Sequence, residues 1–254
     1  MNNINIVEQK YWNNSYDNYK FYIADDVVTQ KIDMILEKER KNIKNCFEVG
    51  CYPGRYLAHF AKKFSLEANG IDKTNKLNDS FINWLKDNSV EIGNVVCGDA
   101  FEYIDKLYKD RIKYDLVYSI GFIEHFLNYK EVIKIQDKIL KENGVLIIET
   151  PNFRGKIQNI MHKLVDQENL NRHVVEAMNP DEWEKILKEM NYQIITKEYF
   201  GGFKFWVDIQ NRNILQKILL FIFNKISIFL KNKIKRNNAA YSPYCLLVAR
   251  KNVL

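Results

Sequence analysis

Residues 45–55 read Asn-Cys-Phe-Glu-Val-Gly-Cys-Tyr-Pro-Gly-Arg, a short apolar run broken by two glycines four positions apart. Cys46–Val49 suit a buried strand. The turn that follows leads into LAHFAKKF (57–64), whose apolar spacing suits a helix. Gly50 lets a ligand approach the backbone closely, and Gly54 lets the helix begin against it. Glu48, two residues ahead of Gly50, sets this turn apart from a dinucleotide fingerprint, because a carboxylate there repels a pyrophosphate and attracts an ammonium group.

Outward from this turn the same alternation repeats. Upstream, Val28, Ile32, Ile35 and Leu36 recur at helical spacing, which predicts a helix over 25–42. Downstream come ANGID (68–72) as a strand, LNDSFINWLKDN (77–88) as a helix, VVCGDA (95–100) as a strand and EYIDKLYKD (102–110) as a helix. YDLVYSI (114–120) and GVLIIET (144–150) are nearly continuous apolar runs, as central parallel strands should be, with the helix YKEVIKIQDKILKE (129–142) between them. Asn143-Gly144 supplies the turn into the second. Strands separated by helices of about ten residues predict βαβ units and an α/β fold with helices on both faces of the sheet. From Pro151 to Asn179 the rhythm loosens into a long polar region. Asn179-Pro180-Asp181-Glu182 then caps a helix running to about Met190. YQIITKEYF (192–200) alternates as a strand, and AYSPYCLLVAR (240–250) makes a last one after some forty residues.

In a sheet of this kind ligands bind beyond the carboxyl ends of the strands, so chemistry should gather there. It does: Asp72 ends the second strand, Asp99 follows the third, and Ser119-Ile120-Gly121-Phe122-Ile123-Glu124-His125 follows the fourth. An acid at Asp72 can accept both hydroxyls of a ribose, a role that also serves dinucleotide enzymes. Taken singly, Glu48, Asp72 and Asp99 also read as cap or turn formers; together they share an order, a spacing and a strand-end register.

The acidic residue followed by G-x-x-x-G, with the strand-end acids, the S-x-x-x-x-EH segment and the TPN exit at 150–152, resembles the class I S-adenosylmethionine-dependent methyltransferases of small molecules. The resemblance covers about residues 43–153, and Tyr52 stands where the family often has a glycine. It implies a Rossmann-like, mostly parallel seven-stranded sheet with an antiparallel last strand. It also implies S-adenosylmethionine as cofactor and S-adenosylhomocysteine as product. The cofactor positions implied are Glu48, Gly50, Cys51, Tyr52, Gly54, Asp72, Lys73, Asp99, Ala100, Phe101, Ser119, Ile120 and Gly121, with Tyr11-Trp12 closing the site from the N-terminal side. The domain reading is N-terminal cap helices at 1–42 and a core at 43–200 with a lid insertion at about 152–178. An amphipathic insertion at 201–240 and a final core strand at 241–254 complete it.

For methyl transfer to a hydroxyl the protein must align the acceptor and remove its proton. His125, just past the fourth strand, and His173, in the lid, are the candidate bases; a capping or packing histidine is the plainer reading of the first. His59 and His162 read as surface or helix residues. Arg55, Arg154 and Arg172 are candidates for an anionic handle on the acceptor, with the last two in the lid. The chain lacks the [DN]PP[YF] of amino-methylating nucleic-acid enzymes and the ligand cluster of catechol-type enzymes, so no metal is expected. O-methylation of a sugar, nucleotide-linked or phosphate-type intermediate of surface-polysaccharide biosynthesis is the expectation by analogy. A lipid-quinone or natural-product acceptor is the alternative. A nucleotide-dependent oxidoreductase and a non-catalytic partner subunit stay open beside it.

The chain of 254 residues, 46% of them apolar, can bury one domain with appendages. Cys46, Cys51, Cys97 and Cys245 are scattered with no CxxC, which predicts free thiols in a reducing cytosol and a cytoplasmic location. No secretory signal or spanning segment is read. The net charge of +6 is uneven: residues from Lys204 onward carry +9 and the rest −3. A near-neutral body argues against nucleic acid as partner and localises the question of partners to the tail. There, residues 214–234 project Leu215, Ile218, Leu219, Ile222, Phe223, Ile226, Phe229 and Leu230 on one arc, with Gln216, Lys217, Asn224, Ser227 and Lys231 opposite. With Lys233, Lys235 and Arg236 beyond, this predicts an amphipathic helix that packs on the body, dimerises or lies on the inner face of a membrane.

Overall fold

The computed structural model describes residues 5–253 apart from positions 18, 40, 209, 232 and 235, and not the side chain of Lys231. Lys231 and Lys235 of the tail reading, and the first four residues of the cap, therefore lie outside it.

Two cap helices come first, α1 (Gln9–Ser15) and α2 (Val27–Glu39). The alternating body follows: β1 (Asn45–Val49), α3 (Arg55–Phe64), β2 (Glu67–Asp72), α4 (Asp79–Asp87), β3 (Ile92–Cys97), α5 (Ala100–Lys109), β4 (Tyr114–Ile120), α6 (Tyr129–Asp137) and β5 (Leu140–Pro151). The remainder is α7 (Lys156–Val165), α8 (Gln167–Leu170), α9 (Pro180–Glu189), β6 (Tyr192–Phe200), α10 (Ile214–Lys231) and β7 (Tyr244–Lys251).

The strands form one seven-stranded sheet in the order β3-β2-β1-β4-β5-β7-β6. β1 pairs in parallel with β2 and β4, β2 with β3, and β4 with β5, while β7 runs antiparallel to β5 and β6. Chain order reverses between β1 and β4, so the crevice between their carboxyl ends is where a ligand is expected. The apolar runs explain the middle of the sheet. Phe47, Val49, Val117 and Ile148 face one layer, and Cys46, Leu116, Tyr118 and Ile147 face the other, all buried. Helices α5, α6 and α9 cover the first face through Ile104, Val132 and Trp183; α2, α3 and α4 cover the second through Ile32, Phe60 and Phe81. Asn179 caps α9 as its sequence predicts, accepting from the N–H of Asp181.

The region read as an irregular polar lid is helical. Its apolar spacing is diluted by Gln158 and His162, yet both are buried because the tail folds over them. Gln158 donates to the carbonyls of Lys204 and Tyr241 at 2.8 and 2.5 Å. His162, read as a surface or helix residue, is wholly buried and pairs with buried Asp166 at 2.8 Å, which in turn takes Arg212 at 3.0 Å. Lid and tail are one structural unit, held by a buried ion network that hydropathy cannot reveal.

Helix α10 forms as expected, and part of its apolar arc meets the body. Leu219, Leu220, Phe223 and Leu230 pack against Met161, Val165, Phe203 and Phe205. The polar Gln216 and Ser227 also face the body, donating to the carbonyls of Leu164 and Phe203. Ile214, Leu215, Ile218, Phe221, Ile222, Ile226, Ile228 and Phe229 are exposed. Among the described residues no helix is long and apolar enough to cross a membrane.

Candidate active site

The carboxyl ends of β1, β2 and β4 open into a cavity of about 650 Å³. The turn after β1 explains its floor. Gly50 and Gly54 both take positive φ, at +80° and +83°. A Cβ on Gly50 would fall 2.3 Å from the Phe122 ring, so the glycine lets the loops after β1 and β4 touch. Tyr52 does not obstruct the loop, because its side chain leaves it for an aromatic cluster with Tyr16 and Phe81, at ring separations of 4.8 and 5.6 Å. Its backbone N–H stays behind and donates to Asp72 at 3.2 Å.

The three strand-end acids reach the cavity in different ways. Asp72 is held by the N–H groups of Tyr52 and Thr74, and burial pushes its carboxyl up to about 6. Glu48 is deeper, 2% exposed, and accepts from the Tyr118 hydroxyl at 3.5 Å. Burial, with Asp72 nearby, raises it well above the usual carboxylate range. Asp99 caps α5 through the N–H groups of Phe101 and Glu102 and also pairs with Lys73 at 3.6 Å. Beside it, a Cβ on Gly98 would meet Ile71 at 3.8 Å, an ordinary van der Waals contact. This donor set suits a molecule with a cationic end, vicinal hydroxyls and a flat ring.

Most residues selected from the sequence line this cavity: Tyr11, Trp12, Cys51, Lys73, Ala100, Phe101, Ile120, Gly121, His125, Arg172 and His173, besides the acids and loop residues above. Two do not. Ser119 is buried in the sheet, since the alternation of β4 turns it away from the crevice. Arg154 is exposed outside the lining, because the chain turns at Asn152 before it can reach inward. Arg172 does line the cavity, but it is ion-paired with Asp208 and stacked on the Tyr11 ring at 4.4 Å, so its charge is already matched.

Sequence reasoning missed Tyr16, Asp26, Glu149, Trp206, Asp208 and Tyr244, all of which line the cavity. Glu149 lies two residues before the end of β5, so the strand-end rule applied once more would have found it. Asp208 had a signal too, as the one acid in the basic tail. Trp206 had none; it arrives by the fold of the tail over the lid.

At the far end of the cavity, Glu124, His125 and His173 come together from the loop after β4 and the end of the lid. His125 uses Nδ1 on the Arg172 carbonyl at 2.8 Å, and His173 uses Nδ1 on the Asn169 carbonyl at 2.6 Å. The two rings lie 4.8 Å apart, with Trp12 edge-on to His125 at 5.0 Å. Burial holds His125 down to about 4 and pushes Glu124 up to about 8.

A family model described as a methyltransferase domain matches residues 20–197. The chain belongs to that family. The methyltransferase is 25% identical over 194 residues to a ubiquinone biosynthesis O-methyltransferase of Pelagibacter ubique, covering 76% of this chain and 75% of the relative. Among solved structures it is similar to an S-adenosylmethionine-dependent methyltransferase of Clostridium acetobutylicum (TM-score 0.57, 11% identity, 96% and 99% coverage). One from Archaeoglobus fulgidus is comparably similar (0.54, 19%, 88% and 94%). The plantazolicin methyltransferase, solved with S-adenosylhomocysteine, gives 0.54 at 14% identity over 89% and 82%. The methyltransferase is therefore a class I, S-adenosylmethionine-dependent enzyme with the sheet order of that fold.

Proposed function

We propose that the enzyme methylates a hydroxyl oxygen of a small, uncharged molecule with an apolar body. The cluster of Glu124, His125 and His173 in the cavity carries this reading. When bound, S-adenosylmethionine supplies a methyl group already activated on a sulfonium. Glu48 and Gly50 receive the amino-acid end, Asp72 the ribose, and Asp99 with Phe101 the adenine. Tyr11 and Trp12 close the site over them. Each imidazole that donates Nδ1–H to a carbonyl keeps its lone pair on Nε2, so His125 and His173 are set to take the acceptor's proton rather than to give one.

The walls argue against a phosphate or nucleotide handle. Asp26, Glu124, Glu149 and Asp208 line the cavity and outnumber its cations; Arg154 is outside it, Arg172 is paired, and Arg55 donates to the Tyr22 hydroxyl at 2.8 Å. Trp12, Phe122, Phe126, Trp206 and Tyr244 supply an aromatic lining instead. The name of the Pelagibacter relative points the same way, towards a quinone-type rather than a polysaccharide-type acceptor. A methyl-transfer screen that pairs hydroxylated aromatic compounds with nucleotide sugars and sugar phosphates tests this. Turnover confined to the phosphorylated set would overturn it.

The exposed face of α10 fits an anionic lipid surface. Its apolar residues are flanked by exposed Lys217, Lys225, Lys233 and Arg236, and no acid follows Asp208 in the chain. Ile157, Ile160 and Leu164 of α7 extend the apolar area beside it. An enzyme seated this way would meet an apolar acceptor where that acceptor partitions.

A further inference from the structure

Both carboxylate oxygens of Glu124 are buried without a hydrogen-bond partner, on a residue with no exposed surface. Such a group is costly to leave unmet, and a protein retains one where something else satisfies it. One oxygen of Glu124 and one ring nitrogen each of His125 and His173 lie within 4.8 Å of one another. Both histidines are oriented by a main-chain carbonyl on Nδ1, from Arg172 and Asn169. That is the arrangement by which proteins fix the tautomer and the direction of metal-ligating imidazoles. The Glu124 carbonyl accepts from the N–H of Val174 at 2.7 Å, which ties the loop after β4 to the segment bearing His173 and holds the three groups in register.

We propose that Glu124, His125 and His173 form a divalent-cation site, with Glu124 supplying a carboxylate oxygen and each histidine its Nε2. Two imidazoles and one carboxylate suit a first-row cation such as Mn²⁺, Fe²⁺, Co²⁺ or Zn²⁺ better than Ca²⁺ or Mg²⁺, which prefer oxygen throughout. Three protein ligands leave positions open on the cavity side. This rests on the hydroxyl reading above but moves the proton's route, because the Nε2 lone pairs then bind the cation and a hydroxyl held at an open position ionises near neutral pH. Its O–H bond breaks with the proton passing to solvent water, and the electron pair stays on oxygen. That pair forms the O–CH₃ bond as the S–CH₃ pair leaves with the sulfur.

The test begins with the full chain, stripped by chelator and dialysed, then titrated with Co²⁺ under calorimetry and visible absorption. One Co²⁺ per chain with new d–d bands is expected, and Glu124→Gln and His173→Gln should each weaken binding at least about tenfold. His59→Gln, which alters a histidine paired to Asp33 far from the cluster, should leave it unchanged. Binding of S-adenosylhomocysteine by each variant shows that it has folded. A folded wild-type chain that takes up no Co²⁺, or one whose variants bind it as tightly, overturns the site. Methyl transfer to a hydroxyl that survives chelation overturns the site and leaves the hydroxyl reading standing. A Co²⁺ site with transfer only to phosphorylated acceptors does the reverse.

Discussion

Gly50 and Asp72 show how much single positions in the proposed cofactor cradle decide. An alanine at Gly50 must hold φ near +80° and place a Cβ 2.3 Å from Phe122, with no flexible chain end to give way. Gly50→Ala should cost about 1–3 kcal/mol of stability and abolish measurable binding of S-adenosylhomocysteine, as read by thermal denaturation and calorimetry. Asp72 makes a different prediction. Burial pushes its carboxyl up to about 6 from the ordinary 3.8, despite the N–H groups that oppose the shift. A raised acid stabilises the fold below its unfolded value and loses that contribution as pH rises through the folded one. At pH 7.5 the ionised group therefore costs on the order of 3 kcal/mol. Asp72→Asn should raise Tm at pH 7.5, match the wild type near pH 3.5 and, with Asp72 proposed as the acceptor of the ribose hydroxyls, weaken cofactor binding.

At the scale of elements, one side chain ties the end of β5 to both the lid and the tail. Asn152 donates to the carbonyls of Ala239 and Ser242, both at 2.8 Å, and accepts from the N–H of Gly155 at 3.1 Å. Asn152→Leu leaves these buried groups unmet and should lower stability by about 2–4 kcal/mol in a denaturant titration. Helix α10 makes the second prediction at this scale. The chain should co-sediment with vesicles containing anionic lipid. Lys217→Gln with Lys225→Gln should weaken that by about 1 kcal/mol each, near fivefold. Phe221→Ser with Phe229→Ser should remove it. If light scattering instead shows a dimer that these serines dissolve, a second copy of the chain is the occupant.

Across the whole molecule, the order of elements was legible because two periodicities dominate it. The alternating runs of 45–150 predicted β1–β5 and their helices, and Asn179 predicted the start of α9. The acids of the cavity were legible for the same reason, since Glu48, Asp72 and Asp99 fall at strand ends and line it, and the rule that ligands gather there needs no coordinates. Local pattern mostly sufficed where a residue's partner is its own strand, turn or helix. It failed at His162, because a distant segment covers it, whereas Ser119 and Arg154 were misplaced although their own strand and turn decide where they point. Hydropathy gave α10 an apolar arc but not what covers it: Leu219, Phe223 and Leu230 of that arc pack on the body, and the rest of it is exposed. Sequence by itself determined the sheet, the family and the strand-end acids of the cradle. Only the tertiary structure decided that the lid and tail close as one unit, bringing Trp206 and Asp208 to the cavity and His173 to Glu124 and His125. The reason is physical: those contacts join residues tens of positions apart, and no local periodicity encodes them.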